Sequence, residues 1–177
     1  MRLFIALDLD PPEYFAGLQE KITIPTVRLS MARSFHLTLK FLGDVDSKRK
    51  DQIIQALRKV QFSPLELRAE HIGAFPESGD PRVVWIGVDG NPALQRLQAD
   101  IDTALSAWFP IEKDWVAHIT LARVKDLGNA RSYRDKVVKI PVPPQKFAVN
   151  SFLLVASVLT REGAVYEIVA EYLPKSI

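Results

Sequence analysis

Two of the chain's three histidines are followed two residues later by a threonine: His36 and Thr38 in "SFHLTLKFLGD", and His118 and Thr120 in "VAHITLARVKD". A β-strand sends residues i and i+2 to one face. Each His–Thr pair therefore projects together, while Leu37, Leu39, Ile119 and Leu121 turn the other way, into a core. An imidazole titrates near neutral pH, so one ring can act as a base while its partner acts as an acid. Threonine hydroxyls can hydrogen-bond the non-bridging oxygens of a phosphoryl group, and such a site needs no metal. A single H-x-T reads as a buried structural histidine; the recurrence 82 residues later favours chemistry. His71 has no threonine partner and reads as a structural or surface residue. Zinc held by His36, His71 and His118 is conceivable on ligand type, but no carboxylate stands at ligand spacing in either H-x-T segment, and no metal is assigned.

The elements that carry these residues occur in matching order. "FIALDLDP" (4–11) aligns with "WIGVDGNP" (85–92) at an offset of 81, and "HLTL" with "HITL" at 82. Strand, capped helix, H-x-T strand, charged segment and strand run twice. The fold class expected is α+β, with two similar lobes from an internal duplication. Each lobe is an antiparallel sheet with helices on its outer face, and a pseudo-two-fold axis runs through a central groove. The whole chain, 1–177, reads as one domain with approximate halves 1–80 and 81–177.

Strands are expected at 2–9, "FHLTLKFL", "LELRAEHI" and 82–88. In "LELRAEHI" the residues Leu65, Leu67, Ala69 and His71 share a face. Asp10 caps a first helix that turns Phe15, Leu18 and Ile22 inward and ends before Pro25; Asp46 or Ser47 caps a second around Ile53, Ile54 and Leu57. "NPALQRLQADIDTALSAWF" is the clearest helix, capped by Asn91, with Leu94, Leu97, Ile101, Leu105 and Trp108 at helical spacing. The basic segment 125–139 receives no element, and "IPVPP" reads as an extended linker. "KFAVNSFLLVASVL" and "AVYEIVAEYL" close the chain as two strands joined by a turn at "TREG", where Gly163 supplies backbone freedom.

Bulk properties narrow the function classes. The chain is 47% hydrophobic and 25% charged, which fits one globular unit with a core of its own. It has no cysteine, which removes disulfides, thiolate chemistry and Cys-based metal sites and fits a cytoplasmic protein. A net charge of +2 is too balanced for a non-specific nucleic-acid binder, so an anionic ligand must be gripped locally. No apolar run reaches membrane-spanning length, and "MRLFIALDLDPP" reads as a first strand, not a signal peptide. Nothing resembling a heptad repeat calls for a dimer, and a monomer is expected.

The chain resembles the two-histidine (2H) phosphoesterases, specifically the bacterial and archaeal RNA 2′,3′-cyclic phosphodiesterases, also called 2′-5′ RNA ligases. "RLFIALD" is similar to the family's opening strand, "HLTLKFLGDV" to its first signature, "RVVWIGV" to its middle strand and "HITLARV" to its second signature. "SVLTREGAVYEIVAEYL" is similar to its ending. Ser34-Phe35 departs from the Asn-Leu that relatives often carry. The resemblance implies metal-independent hydrolysis of 2′,3′-cyclic phosphate ends of RNA, or of cyclic nucleotides, to 2′-phosphomonoesters, without a cofactor. It assigns His36 as proton donor and His118 as proton acceptor; from the residues alone the two roles are exchangeable. Thr38 and Thr120 orient and neutralise the phosphate. Arg123 matches an arginine of the second signature associated with phosphate or nucleotide binding. Strict alternation from His118 points position 123 away from the groove, so either the strand ends or bulges before it or Arg123 is a solvated surface charge. Lys40 either adds positive potential or is a surface lysine. Lys48, Arg49 and Lys50 read as a solvated helix face, and Phe35, Phe75 and Tyr133 are candidates to stack a base. The alternatives are a ligase forming 2′-5′ linkages and a non-catalytic nucleotide or RNA binder.

Overall fold

Residues 3–7 are buried on both faces of the first strand, which marks it as central to a sheet. In the computed structural model, which describes residues 1–161 and 163–175, the strands are β1 (Arg2–Asp8), β2 (Arg28–Met31), β3 (His36–Asp44), β4 (Leu65–Phe75), β5 (Val83–Val88), β6 (His118–Asp126), β7 (Lys146–Val149), β8 (Phe152–Thr160) and β9 (Gly163–Tyr172). The helices are α1 (Pro12–Ile22), α2 (Ser47–Leu57), α3 (Pro92–Leu105) and α4 (Tyr133–Val137). The strands form one antiparallel sheet in the order β7-β4-β5-β6-β3-β1-β8-β9, with β2 on β6. Between β3 and β6 the only register partners among the described residues are Leu37 and Ile119. The sheet is therefore two sub-sheets joined at one rung. Both take strands from 1–80 and from 81–177.

Helix α1, from the first part of the chain, packs on β6, and α3, from the second part, packs on β3. Phe15, Leu18, Ile22, Leu94, Leu97 and Ile101 join Leu37, Leu39, Ile119 and Leu121 in one core between the helices and the sheet. At about 25 cal/mol per Å² of apolar surface removed from water, burying each of these side chains is worth about 1.5–3 kcal/mol. A smaller cluster of Phe4, Ala6, Leu153 and Val155 lies apart from it.

The two H-x-T strands depart from strict alternation at the same place. On β1–β3, Ile5 pairs with Lys40 and Ala6 with Thr38, leaving Leu39 unpaired; on β5–β6, Val84 pairs with Ala122 and Trp85 with Thr120, leaving Leu121 unpaired. These are β-bulges, each adding one residue to one strand. Leu39 and Lys40 are consequently both buried, as are Leu121 and Ala122. Phe41 and Arg123 return to the face of the His–Thr pairs. In the ladder Ala6 and Trp85 each oppose a threonine, whereas the sequence offset of 81 matches Ala6 with Gly87.

Several expected elements change on folding. Helix α1 has Pro11 as its N-cap with no side-chain cap bond, so Asp10 stands one residue too early to reach the free amides. Asp46 and Asn91 do cap, accepting from Arg49 N at 2.7 Å and Ala93 N at 2.8 Å. Helix α3 stops at Leu105; Trp108 lies in the following turn, its ring 5.0 Å beneath the Arg49 guanidinium. An extra residue between Ala69 and Ile72 takes His71 off the face of Leu65 and Leu67 and leaves it exposed. The run 146–159 is two strands: β7 pairs with β4 and β8 with β1. Strand β2 and helix α4 are additions that the sequence pattern does not announce. The turn expected at 160–163 includes Glu162, which lies outside the described residues. Among the described residues, no helix is long and apolar enough to cross a membrane.

Candidate active site

The single rung between β3 and β6 sets the geometry of the site. Leu37 and Ile119 face each other with their side chains in the core. Their neighbours point to the opposite face, and in an antiparallel pair this puts His36 across from Thr120 and Thr38 across from His118. All four border a cleft of about 840 Å³, together with Phe4, Phe41, Tyr166, Arg2, Arg33 and Arg123.

The rings are held by aromatic neighbours. His36 lies 5.0 Å from Phe4 and, edge-on, 5.2 Å from Tyr166. His118 meets Phe75 edge-on at 5.0 Å and Trp85 at 5.8 Å. Trp85 can lie where it does because position 73 is glycine: a Cβ there would overlap the indole ring. His118 Nδ1 is 2.8 Å from the Val116 carbonyl oxygen. A carbonyl only accepts, so Nδ1 carries the proton and donates it, which leaves Nε2 as the lone-pair nitrogen of the neutral ring.

Burial, and secondarily the charge of His118, lowers the His36 pKa to about 4. Burial also lowers that of His118, against a smaller upward pull from its bond to Val116. Both imidazoles are therefore neutral in the free protein at pH 7. Unfolded histidine titrates at about 6.5, so between that value and about 4 the unfolded chain binds the extra proton. The stability this confers is complete above pH 6.5 and is lost as pH falls toward 4. Thermal melts across this window should show Tm falling with pH, with a shallower fall in His36→Gln. An equal slope in both proteins would contradict the assignment.

Arg123 is exposed and borders the cleft, delivered there by the bulge at Leu121. Lys40 fits neither expectation made for it. The bulge at Leu39 turns it inward, where it is 2% exposed, with Nζ 2.5 Å from Asp102 Oδ1 and 2.7 Å from the Pro110 carbonyl oxygen. Phe35 is buried and stacked on Phe15 at 4.7 Å. Tyr133 is buried and donates its hydroxyl to the Ile22 carbonyl at 2.8 Å. Neither ring is open to a base. Lys48, Arg49 and Lys50 do not border the cleft. His71 lies 5.4 Å from Trp85. Among the described residues, no three His, Cys, Asp or Glu side chains gather as metal ligands. Arg2, Phe4, Arg33, Phe41 and Tyr166 also border the cleft, and none of them is a candidate on sequence grounds, although Phe41 had a signal, since it stands 82 residues before Arg123.

A dyad of histidines with paired threonines, on the seam of two antiparallel sub-sheets, defines a class. The chain belongs to the 2′-5′ RNA ligase superfamily, whose sequence pattern matches residues 29–160. The RNA 2′,3′-cyclic phosphodiesterase of Methanocaldococcus jannaschii is 33% identical over 176 residues, which cover 97% of this chain and 100% of that protein. The protein of the same name from Archaeoglobus fulgidus is 34% identical, with 94% and 97% covered. Among solved structures, E. coli LigT complexed with 3′-AMP superimposes with a TM-score of 0.76 at 26% identity, covering 99% of this chain and 98% of that one. TT0787 of Thermus thermophilus gives 0.76 at 26%, with 98% and 97% covered.

Proposed function

We propose that the chain hydrolyses 2′,3′-cyclic phosphate ends of RNA, or cyclic nucleotides, to 2′-phosphomonoesters. The observation that carries this reading is that both His–Thr pairs border one cleft, on the two strands joined at the Leu37–Ile119 rung. His118 Nε2 removes a proton from water as the water oxygen bonds to phosphorus. The bond from phosphorus to the 3′ oxygen breaks, and His36 gives that oxygen its proton. The depressed pKa makes His36 a strong acid but leaves it neutral in the free protein. The negative charge of the cyclic phosphate favours the protonated ring, so the proton is taken up with the substrate. Thr38 and Thr120 donate hydrogen bonds to the non-bridging oxygens, and Arg123 adds positive charge at the rim. These side chains supply both proton transfers and the charge neutralisation, so the reaction requires no metal.

Incubation with 2′,3′-cyclic AMP in the presence of EDTA tests this: release of 2′-AMP is expected, and 3′-AMP or no product would contradict it. In the same assay Arg123→Ala should raise KM about tenfold or more with a smaller change in kcat, the pattern of lost uniform binding. An unchanged KM would remove Arg123 from the site.

A further inference from the structure

A second pocket, of about 250 Å³, adjoins the cleft and shares Thr38, Phe41 and His118 with it. The two cavities differ in charge. The large cleft carries Arg2, Arg33 and Arg123, whereas the small pocket carries Glu112 and Asp114. Among the described residues its one cation is Lys40, which is engaged by Asp102 and the Pro110 carbonyl. Beside Leu39 and Val116, its lining includes three aromatic rings: Phe41, 70% exposed, with Phe75 and Trp115. The wall is fixed from behind. Trp115 Nε1 donates to the Thr38 carbonyl at 3.0 Å, and Glu112 donates its backbone N–H to Asp102 Oδ2 at 2.9 Å. The Glu112 carboxylate lies 3.8 Å from Lys40 Nζ.

We propose that this pocket receives the base of the nucleotide bearing the cyclic phosphate and selects guanine over uracil. The inference rests on the cyclic-phosphate reading above. That nucleotide has an anionic side, the phosphates of the chain leading to it, and a neutral planar side, its base. With the cyclic phosphate on the dyad, the arginines draw the chain into the large cleft, and the carboxylates repel it from the small pocket. The base is left facing aromatic walls, on which every base can stack. The carboxylates then discriminate. A carboxylate only accepts, and guanine offers it two parallel donors, N1–H and the 2-amino group. Adenine and cytosine offer an amino group beside an acceptor, and uracil one N–H between two carbonyls.

The test compares kcat/KM for the 2′,3′-cyclic monophosphates of guanosine and uridine, and calorimetric binding of guanosine and uridine 2′-monophosphates. Guanine should be preferred by about tenfold or more in both measurements, the scale of discrimination a bidentate contact gives. The ratio should fall toward one in Glu112→Gln/Asp114→Asn and stay high in Asp100→Asn, on the exposed side of α3. Equal values for the two bases, or a preference that survives the double substitution, would overturn the inference. Binding reads the pocket whether or not turnover occurs. Failure to cleave any cyclic phosphate therefore counts against the proposed reaction, while the base ratio still decides for or against the pocket.

Discussion

Replacing His118 with alanine should lower kcat on a 2′,3′-cyclic nucleotide by at least about 100-fold, and His36→Ala should do the same, because one positioned acid or base is typically worth about 10² to 10⁴ in rate. On the proposed mechanism the two substitutions remove different halves of one proton circuit. Without His118 the attacking water keeps its proton; without His36 the 3′ oxygen leaves as an alkoxide. Once either transfer is lost the other gains little, so His36→Ala/His118→Ala should be scarcely slower than the slower single variant. Truncating His118 also removes the donor to the Val116 carbonyl. His118→Asn, which can keep that donor, should therefore remain inactive while retaining the wild-type fold by circular dichroism. Activity within a few-fold of wild type in either alanine variant would eliminate the dyad as the catalytic apparatus.

The second large effect lies in the core. Asp102→Ala should cost about 3–5 kcal/mol of stability, because removing one partner leaves a buried charge uncompensated. For a chain of this length that is a fall in Tm on the order of 10 °C. Lys40 Nζ would keep the Pro110 carbonyl but lose the carboxylate 2.5 Å away. Asp102 also accepts from Gln98 Nε2 at 3.0 Å and from the Glu112 backbone, so the loop bearing the acidic wall of the second pocket would lose its tether. Lys40→Met/Asp102→Asn removes both charges, keeps an acceptor for the loop and should recover part of the loss. A Tm unchanged in Asp102→Ala would show that the pair is not desolvated as described.

Much of this is legible in the sequence because the informative signals are local. The caps at Asp46 and Asn91 and the inward faces of α1 and α3 follow from residues within a few positions of each other. The His–Thr pairs follow from a period of two. What escapes the sequence follows from ladder partners far along the chain. Strand β2 is short and only partly buried, and it is a strand because β6 offers it an edge. Tyr166 reaches His36 from a strand 130 residues away. Lys40 and Arg123 turn on bulges whose cost and benefit are set by β1 and β5, which strict alternation cannot register. A bulge precedes Arg123 and brings it to the cleft, and a bulge at Leu39 turns Lys40 into the core.

The exchange of helices and strands between the sub-sheets has a kinetic side. β1, the first strand in chain order, lies between β3 and β8, pairing Leu3 with Ala156 and Phe4 with Val155. The helix that follows it backs β6, from the second half of the chain. Contacts of such long sequence separation slow folding, since the loops between them must close before any pairing is rewarded. On the ribosome, the His36 side of the dyad cannot be completed until β8 and β9 have emerged. The ring contacts that Tyr166 makes with Phe4 and His36 are among the last that the growing chain can form.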